Sequence, residues 1–244
     1  MAGKPRRVRV ADALPEIIEY LDPAQQELAR RQLVADVIVA STGAWTPVLP
    51  DAGPGHLGLL VLTGLLSRDV IFERPLATEL VGQGDLLRPN DHDGDDAPIP
   101  FGVSWTVLET AHLAVLDPAF TRVLAQWPAA VEAVLRGASN RAHTLAITMA
   151  VSNLRRVDAR LLVLLWYLAD RWGRVTPEGV VLPVRLTHET LARLVGAQRP
   201  SVTTALRQLD EEGRVRRTAG RAWLLCGDPP ETVASTQSAV STGG

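Results

Sequence analysis

One stretch, residues 186–225, restricts the possible folds of this 244-residue chain more than any other. Thr187 belongs to the residue types that cap helix N-termini, and Gly196 provides the backbone freedom of a tight turn. Pro200 suits the first turn of a following helix, where its missing N–H costs little. The small residue Ala192 and five apolar residues stand at the offsets at which two helices cross closely: Leu191, Val195, Ala197, Val202 and Ala205. The stretch therefore predicts a helix-turn-helix.

The second helix of this motif carries polar and basic residues on the face opposite its apolar ones. Such a helix reads base edges in the major groove of DNA, where arginine prefers guanine and glutamine prefers adenine. Its candidate reading residues are Gln198, Arg199, Ser201, Thr203, Thr204 and Arg207. Two β-rich runs follow, at residues 215–217 and 222–225, and predict the two-stranded wing of a winged helix. The arginines of the wing, which we expect near DNA phosphates, are Arg214, Arg216, Arg217 and Arg221.

Charge is distributed unevenly along the chain. Residues 1–154 contain 12 basic and 18 acidic residues, whereas residues 155–228 contain 13 basic and 8 acidic residues. The formal net charge of the whole chain, −2, therefore conceals a basic C-terminal module. A localised positive field is what phosphate binding requires. Scattered solvated arginines, or a three-helix packing module coated with arginine, are the alternatives to a DNA-binding module.

The remaining sequence predicts an α+β protein with several distinct parts. Short β-rich runs at residues 37–40, 57–62 and 103–107 alternate with glycine and proline, which is typical of an all-β roll. Asp22 and Asp117 each precede a proline and predict helix N-caps. The predicted parts are a flexible basic arm (1–20), a β-roll effector-type domain (21–126), a dimerisation helix (127–154), the winged helix-turn-helix domain (155–228) and a disordered tail (229–244).

The long helix carries an apolar stripe at alternating steps of three and four residues, as in a coiled-coil seam. Its members are Val131, Leu135, Ala138, Ala142, Leu145 and Met149. A second apolar face is formed by Val134, Ile147 and Val151, so the helix can pack on its own domain and on a partner helix together. We therefore expect a homodimer. The alternative is that the stripe faces the β-roll of its own chain.

Several classes of protein are excluded by what the chain contains. Its single cysteine, Cys226, cannot hold an iron–sulfur cluster, which needs about four thiolates. No apolar run reaches the roughly 18 residues of a membrane span, and no secretion signal is apparent. The five histidines show no metal-ligand spacing, and the acidic loop at residues 90–96 lacks the distal glutamate of a calcium loop. No nucleophile or phosphate-loop motif occurs, so we predict neither an enzyme nor a metal site.

The order of these parts resembles the Crp/Fnr family of bacterial transcription regulators. The resemblance covers about residues 20–226 and is strongest over residues 186–202, together with the apolar helix at residues 161–172. In the N-terminal half, residues 59–64 and 82–85 look like landmarks of the family's β-roll. The resemblance implies that this half is a jelly roll like that of cyclic-nucleotide-binding domains.

The resemblance also implies that cyclic AMP is not the effector. Cyclic-nucleotide binders of the family hold the ribose with a Gly-Glu pair and the cyclic phosphate with an Arg-Ser pair. Here those places fall near Arg88-Pro89 and Pro100-Phe101, so neither pair is present. A phosphate diester without a charge-assisted clamp binds poorly in water. The effector is therefore unknown, and the roll serves either an unrelated ligand or assembly. Arg88 is a weak candidate for holding a different anion. No cofactor is expected.

The family's recognition helix carries over only in part. Arg199 matches an arginine that reads the half-site in the founding member, whereas Pro200 and Thr204 replace an acid and a second arginine. Thr187 and Glu189 match family positions near the DNA backbone. Guanine reading by Arg199 is therefore expected, but the founding half-site as a whole is not.

These observations together predict a sequence-specific DNA-binding transcription regulator that acts as a homodimer in the bacterial cytoplasm. Its site on double-stranded DNA would be an inverted repeat with half-sites about 10 base pairs apart. RNA polymerase is a candidate further partner, and no membrane partner is expected. The alternative function is a signalling module that binds a cyclic nucleotide or another small ligand and has only weak, non-specific DNA affinity.

Overall fold

The chain divides into two units, and the boundary falls between Ile147 and Thr148. The computed structural model describes residues 6–49, 53–72, 75–89, 101–218, 220 and 222–230. The strands of the first unit are β1 (Arg6–Arg9), β2 (Val34–Ala40), β3 (Gly43–Trp45), β4 (Gly58–Ile71), β5 (Pro75–Gly82), β6 (Leu86–Leu87) and β7 (Gly102–Leu116). Its helices are α1 (Val10–Ala13), α2 (Pro23–Gln32), α3 (Pro118–Leu124) and α4 (Pro128–Ser152), the last of which ends beyond the boundary.

The strands of the first unit form one antiparallel sheet in the order β1-β2-β7-β4-β5, with β3 paired to β7 and β6 paired to β4. The α+β class and the N-terminal β-roll predicted from the sequence are confirmed. The long pair β4 and β7 runs from Gly58 opposite Leu116 to Ile71 opposite Gly102, and its register shifts around Thr63. Gly64 lies at that irregularity with φ +95°, a conformation that favours glycine.

Strand β4 is buried on both of its faces, which explains its nearly continuous apolar sequence. Leu60 and Leu62 pack in a core with the N-terminal segment and the helices α3 and α4. Leu59 and Val61 point to the other side, into the interior of the roll, with Trp105. Side chains alternate between the two faces of a strand, so one strand supplies both cores.

The N-terminal segment corrects one prediction. Residues 1–20 are not a flexible arm as far as the structure describes them, because β1 pairs with β2 from Arg6 opposite Val37 to Arg9 opposite Val34. A 3-10 turn at Pro15–Ile17 follows α1, and the segment buries Val10, Leu14, Ile17 and Ile18. These apolar residues cover one side of the first core. Residues 1–5 lie outside the described part.

The predicted caps of the first unit are confirmed. The Asp22 carboxylate accepts a hydrogen bond from the Gln25 backbone N–H at 2.8 Å, and the Gln25 side chain accepts one from the Asp22 N–H, which completes a capping box. The Asp117 carboxylate accepts from the Phe120 N–H at 2.7 Å and starts α3.

Helix α4 approaches the turn after β5 very closely. A Cβ atom at Gly137 would lie 2.3 Å from the Gly84 carbonyl oxygen, so only glycine fits there. One turn later, the Arg141 guanidinium donates to both carboxylate oxygens of buried Glu79, at 2.7 and 2.9 Å, and to the Leu86 carbonyl at 3.0 Å. The pKa of Arg141 is raised: burial works against the charged form, but the hydrogen bond to Glu79 and the charges of Glu79 and Asp85 outweigh it. This buried pair ties α4 to the roll.

The second unit contains two helices of the predicted motif and a small sheet. Its elements are α5 (Val157–Trp172), β8 (Arg174–Thr176), β9 (Gly179–Leu182), α6 (His188–Leu194), α7 (Arg199–Glu211), β10 (Val215–Arg217) and β11 (Trp223–Leu225). The four strands pair antiparallel in the order β10-β11-β9-β8. Among the described residues of both units, no helix combines the length and apolar character that a membrane span requires.

We predict that Gly64→Ala destabilises the protein much more than Gly43→Ala. Both glycines have positive φ, but a Cβ at Gly43 meets nothing within 4 Å, whereas one at Gly64 would lie 2.5 Å from the Ala111 Cα and the Thr110 carbonyl oxygen. Backbone strain alone costs about 1–3 kcal/mol, and overpacking adds about 1–3 kcal/mol at Gly64. Urea unfolding followed by circular dichroism measures both variants, and equal losses would contradict the close packing of β4 on β7.

Candidate nucleic-acid interface

Helix α6 and the turn after it have the geometry that the sequence predicts. The Thr187 hydroxyl oxygen accepts from the Thr190 backbone N–H at 3.0 Å and caps α6. Gly196 has φ +61°, and the Ala197 N–H then donates to the Ala192 carbonyl at 2.9 Å. This bond satisfies one of the last carbonyls of α6 and closes the tight turn. The predicted helix-turn-helix is confirmed.

Helix α7 is buried along one face and exposed along the other. Val202, Ala205, Leu206 and Leu209 are no more than 7% exposed. All six predicted reading residues lie on the exposed side: Gln198, Arg199, Ser201, Thr203, Thr204 and Arg207. The structure therefore brings them together as one polar, basic surface, which we call the α7 face.

The hydroxyl groups of two threonines on the α7 face are already engaged within the helix. Thr203 Oγ1 donates to the Arg199 carbonyl at 3.0 Å, and Thr204 Oγ1 donates to the Pro200 carbonyl at 3.2 Å. Each hydroxyl has a single proton. The two side chains therefore offer oxygen lone pairs and methyl groups to a ligand, rather than hydrogen-bond donors.

The predicted wing is present as β10 and β11, which pair from Val215 opposite Leu225 to Arg217 opposite Trp223. Sequence reasoning missed that these strands continue into β9 and β8. The signal was available, because Pro177, Glu178 and Gly179 separate two β-branched runs and predict a hairpin.

The basic residues of the wing differ in how well they are placed. The Arg217 guanidinium lies 4.6 Å from the Trp223 ring centroid, and its Nη2 donates to the Leu186 carbonyl at 3.4 Å, just before the cap of α6. Arg216 is exposed and Arg214 is partly buried. Arg221, also predicted to bind DNA, lies outside the described residues. Thr187 and Glu189, at the start of α6, are both exposed.

His188, the first residue of α6, is a member of this surface that sequence reasoning missed. Its Nδ1 lies 2.9 Å from Thr203 Oγ1 on α7. Partial burial lowers the pKa of His188, and the positive charges of Arg217 and Arg199 lower it further. The only available signal was its place next to the capping Thr187.

Arg160 on α5 is a second residue that was missed. Its Nη1 donates to the Val195 and Gly196 carbonyls at 3.1 and 3.2 Å, and its Nε donates to the Leu154 carbonyl at 2.6 Å. The first two carbonyls belong to the turn between α6 and α7. One guanidinium therefore fixes the turn that orients the α7 face.

In the first unit, the structure gives less about the predicted effector position. Arg88 is exposed just after β6 and has electrostatic or hydrogen-bonding partners of its own. Pro100 and the acidic loop at residues 90–96 lie outside the described residues. Within the described part of the chain, no three His, Cys, Asp or Glu side chains are grouped closely enough to hold a metal ion.

The comparisons with known proteins agree with this geometry. Residues 159–230 match the model of the Crp-like helix-turn-helix domain. The chain carries a Crp-like helix-turn-helix domain. That domain includes α5, the α6–α7 motif and the strands β8 to β11.

Among curated proteins, the chain is 29% identical over 132 residues to the HTH-type transcriptional regulator Cmr of Mycobacterium tuberculosis. That alignment covers 52% of this chain and 50% of Cmr. The chain thus spans about half the length, or less, of the curated relatives it matches.

Solved structures share the fold over most of the chain. A cyclic nucleotide-binding domain containing protein from Listeria monocytogenes superposes with TM-score 0.62 at 16% identity, covering 89% of this chain and 97% of that one. A CRP family transcriptional regulator from Thermus thermophilus gives TM-score 0.55 at 21% identity, covering 78% and 92%. At these identities the likeness shows the fold alone; the Crp-like part of the resemblance that is confirmed is the helix-turn-helix domain matched by the family model.

We predict that Arg160→Met lowers the free energy of unfolding by about 1–3 kcal/mol, because hydrogen bonds from the guanidinium to three carbonyls are lost. Arg155→Met is the matched control, since Arg155 is exposed in the bend before α5. Chemical denaturation of both variants tests this. A loss in the control equal to that in Arg160→Met would contradict the anchoring role.

Proposed function

We propose that this chain is a sequence-specific transcription regulator of the Crp/Fnr type that binds double-stranded DNA as a homodimer in the bacterial cytoplasm. The observation that carries the proposal is the α7 face, a polar and basic surface on a helix whose other side is fully packed. In a helix-turn-helix this helix enters the major groove. No catalytic residue is part of the proposal.

Binding to the phosphate backbone would come from the arginines around α7. Residues 155–228 have five more basic than acidic residues. Arg217 is held by Trp223 and by the Leu186 carbonyl, so little side-chain freedom is lost when it meets a phosphate. Such contacts set the register of the protein on DNA and make its affinity depend on salt.

Base reading would come from the N-terminal part of α7. Arg199 is the first residue of this helix and is exposed, which allows a bidentate contact to guanine. Thr204 offers a methyl group and an oxygen lone pair, which suit a thymine methyl or the amino group of adenine or cytosine. Arg207 forms only an exposed ion pair with Glu211, at 3.2 Å, and can exchange it for DNA at little cost.

The apolar stripe of α4 supports dimerisation. Leu135, Leu145 and Met149 are 49%, 39% and 69% exposed, although each is a large hydrophobic side chain. Another face of the same helix is occupied, since Val134, Gly137 and Thr144 are buried. A second copy of α4 would cover the stripe by coiled-coil packing. The two α7 faces would then meet DNA as a symmetric pair.

The proposal names no effector, and we expect that cyclic AMP does not bind. Arg141, which reaches the roll from α4, is engaged by Glu79 and the Leu86 carbonyl. The pattern that holds ribose in cyclic-nucleotide binders is replaced by Arg88 and Pro89. Calorimetry with cyclic AMP tests this, and submillimolar binding would favour the alternative signalling module.

We predict that Leu145→Asp converts the dimer to a monomer. The aspartate would be buried without a partner in the helix pair, which weakens the dimer by roughly 100-fold or more. Asn140→Asp adds the same charge at an exposed position of α4 outside the stripe and should leave the dimer intact. Sedimentation velocity at micromolar concentration distinguishes them. A monomeric wild type, or a dimeric Leu145→Asp variant, would contradict the proposed interface.

We predict that selection from a random duplex pool enriches an inverted repeat with half-sites about 10 base pairs apart. On the selected duplex, Arg199→Ala should lose about 1–3 kcal/mol of discrimination at one guanine position in each half-site. Arg174→Ala, on β8, removes the same charge and should leave base preference unchanged. Failure to enrich a repeat would contradict specific binding, and equal weakening of Arg199→Ala on every sequence would make this residue a phosphate contact only.

A further inference from the structure

A hydrogen-bond chain joins His188 to α7 through Thr203. The Thr203 hydroxyl donates its one proton to the Arg199 carbonyl at 3.0 Å. With that bond made, Thr203 Oγ1 accepts from His188 Nδ1, which lies 2.9 Å away. In this arrangement the neutral ring carries its proton on Nδ1, and Nε2 is an acceptor. A second proton, on Nε2, would turn the ring into a cation that donates from both nitrogens.

Among the described residues, the charged groups that lower the pKa of His188 come from two other elements. They are Arg217 on β10 and Arg199 on α7, and both disfavour a third positive charge. The next residue of its own helix, Glu189, is exposed. Partial burial acts in the same direction as the arginines, so the pKa of His188 lies below its ordinary value and the ring is neutral at neutral pH. An anion close to the imidazole ring would favour the protonated form and raise the pKa of His188.

We propose that His188 contacts a DNA phosphate together with Arg217, beside the base-reading Arg199, and takes up a proton from solvent when DNA binds. The inference rests on the proposed function, because the anion is the DNA backbone. Three features of the structure support it: two arginines face the ring, the ring is already hydrogen-bonded to the recognition helix, and Arg217 is held in place by Trp223. His188 is therefore a binding residue that is neutral in the free protein and positively charged in the DNA complex.

The direction of the pH dependence follows from linkage. The pKa of His188 is lowered in the free protein, and the phosphate charge raises it in the complex. Between those two values the complex holds more protons than the free partners, so affinity rises as pH falls. The slope reaches about ten-fold per pH unit for each His188 that titrates. Below the pKa of the free protein, both states are protonated and the dependence on this residue levels off.

The test compares wild type with His188→Asn on the selected duplex. Asparagine keeps a side-chain N–H near the position of Nδ1 but does not titrate. Fluorescence anisotropy at constant ionic strength, from about pH 5.5 to about pH 8, should show affinity rising toward low pH in wild type and a flatter profile in His188→Asn. His112→Asn removes a histidine of the first unit that is bonded to Thr63, and should retain the wild-type profile.

Proton counting gives an independent readout. Calorimetry of DNA binding in two buffers with different ionisation enthalpies yields the number of protons taken up, which should be positive in wild type and close to zero in His188→Asn. A pH-independent wild type, or a His188→Asn variant with the wild-type profile and proton count, would overturn the inference while DNA binding stands. A wild type that binds no DNA would overturn the proposed function and this inference together.

The tautomer can be measured without DNA. Nitrogen-15 NMR of the free protein should show His188 protonated at Nδ1 near neutral pH, with a titration midpoint below that of an unperturbed histidine. A ring protonated at Nε2 would contradict the hydrogen-bond chain on which the inference depends.

Discussion

The burial of one face of α7 is the constraint on which the functional surface depends. Val202 is completely buried and Leu209 nearly so, and removing these side chains from water is worth roughly 1.5–3 kcal/mol each. Because the helix cannot rotate without exposing them, Arg199 and Thr204 must face outward. The turn at Gly196 and its anchor, Arg160, then fix the direction in which this face points. Specific recognition needs such a preset direction, since each base contact has a narrow geometry.

Much of the second unit could be predicted because its signals are local. Each of these signals acts over a few neighbouring positions. They are a capping threonine, a glycine between two helices, and apolar residues that recur every three or four positions. Arg160 could not be predicted in the same way, because its role depends on carbonyls 35 and 36 residues further along the chain. The bond between His188 and Thr203 joins two helices, and nothing in either helix alone indicates it.

Less of the first unit could be predicted, because more of its contacts join segments that are distant in the sequence. The capping box at Asp22 is local and was predictable, but the strand at Arg6–Arg9 was not, because its sequence is mostly arginine and its pairing partner β2 begins 25 residues after β1 ends. The close approach of Gly137 to Gly84, and the ion pair of Arg141 with Glu79, also join distant segments. The apolar stripe of α4, which is exposed from Leu135 to Met149 while Val131 packs on the first core, was predicted from its period, because a helix face is fixed by spacing alone.

The charge pattern links the two surfaces that the proposal uses. A basic module attached to an acidic N-terminal half concentrates positive potential at the winged helix, while the overall charge stays close to zero. An apolar stripe on α4 and a basic face on α7 are then suited to different partners, a second copy of the chain and DNA. Pairing through the α4 stripe would place two α7 faces on one duplex, which is what an inverted repeat requires.

The central claim is that the α7 face reads guanine in the major groove, and methylation interference tests it most directly. Methyl groups placed on guanine N7 block contacts in the major groove. On a selected duplex the account predicts interference at guanines in two half-sites about 10 base pairs apart, and its loss at one guanine of each half-site with Arg199→Ala. Binding that tolerates methylation at every guanine N7 would contradict it.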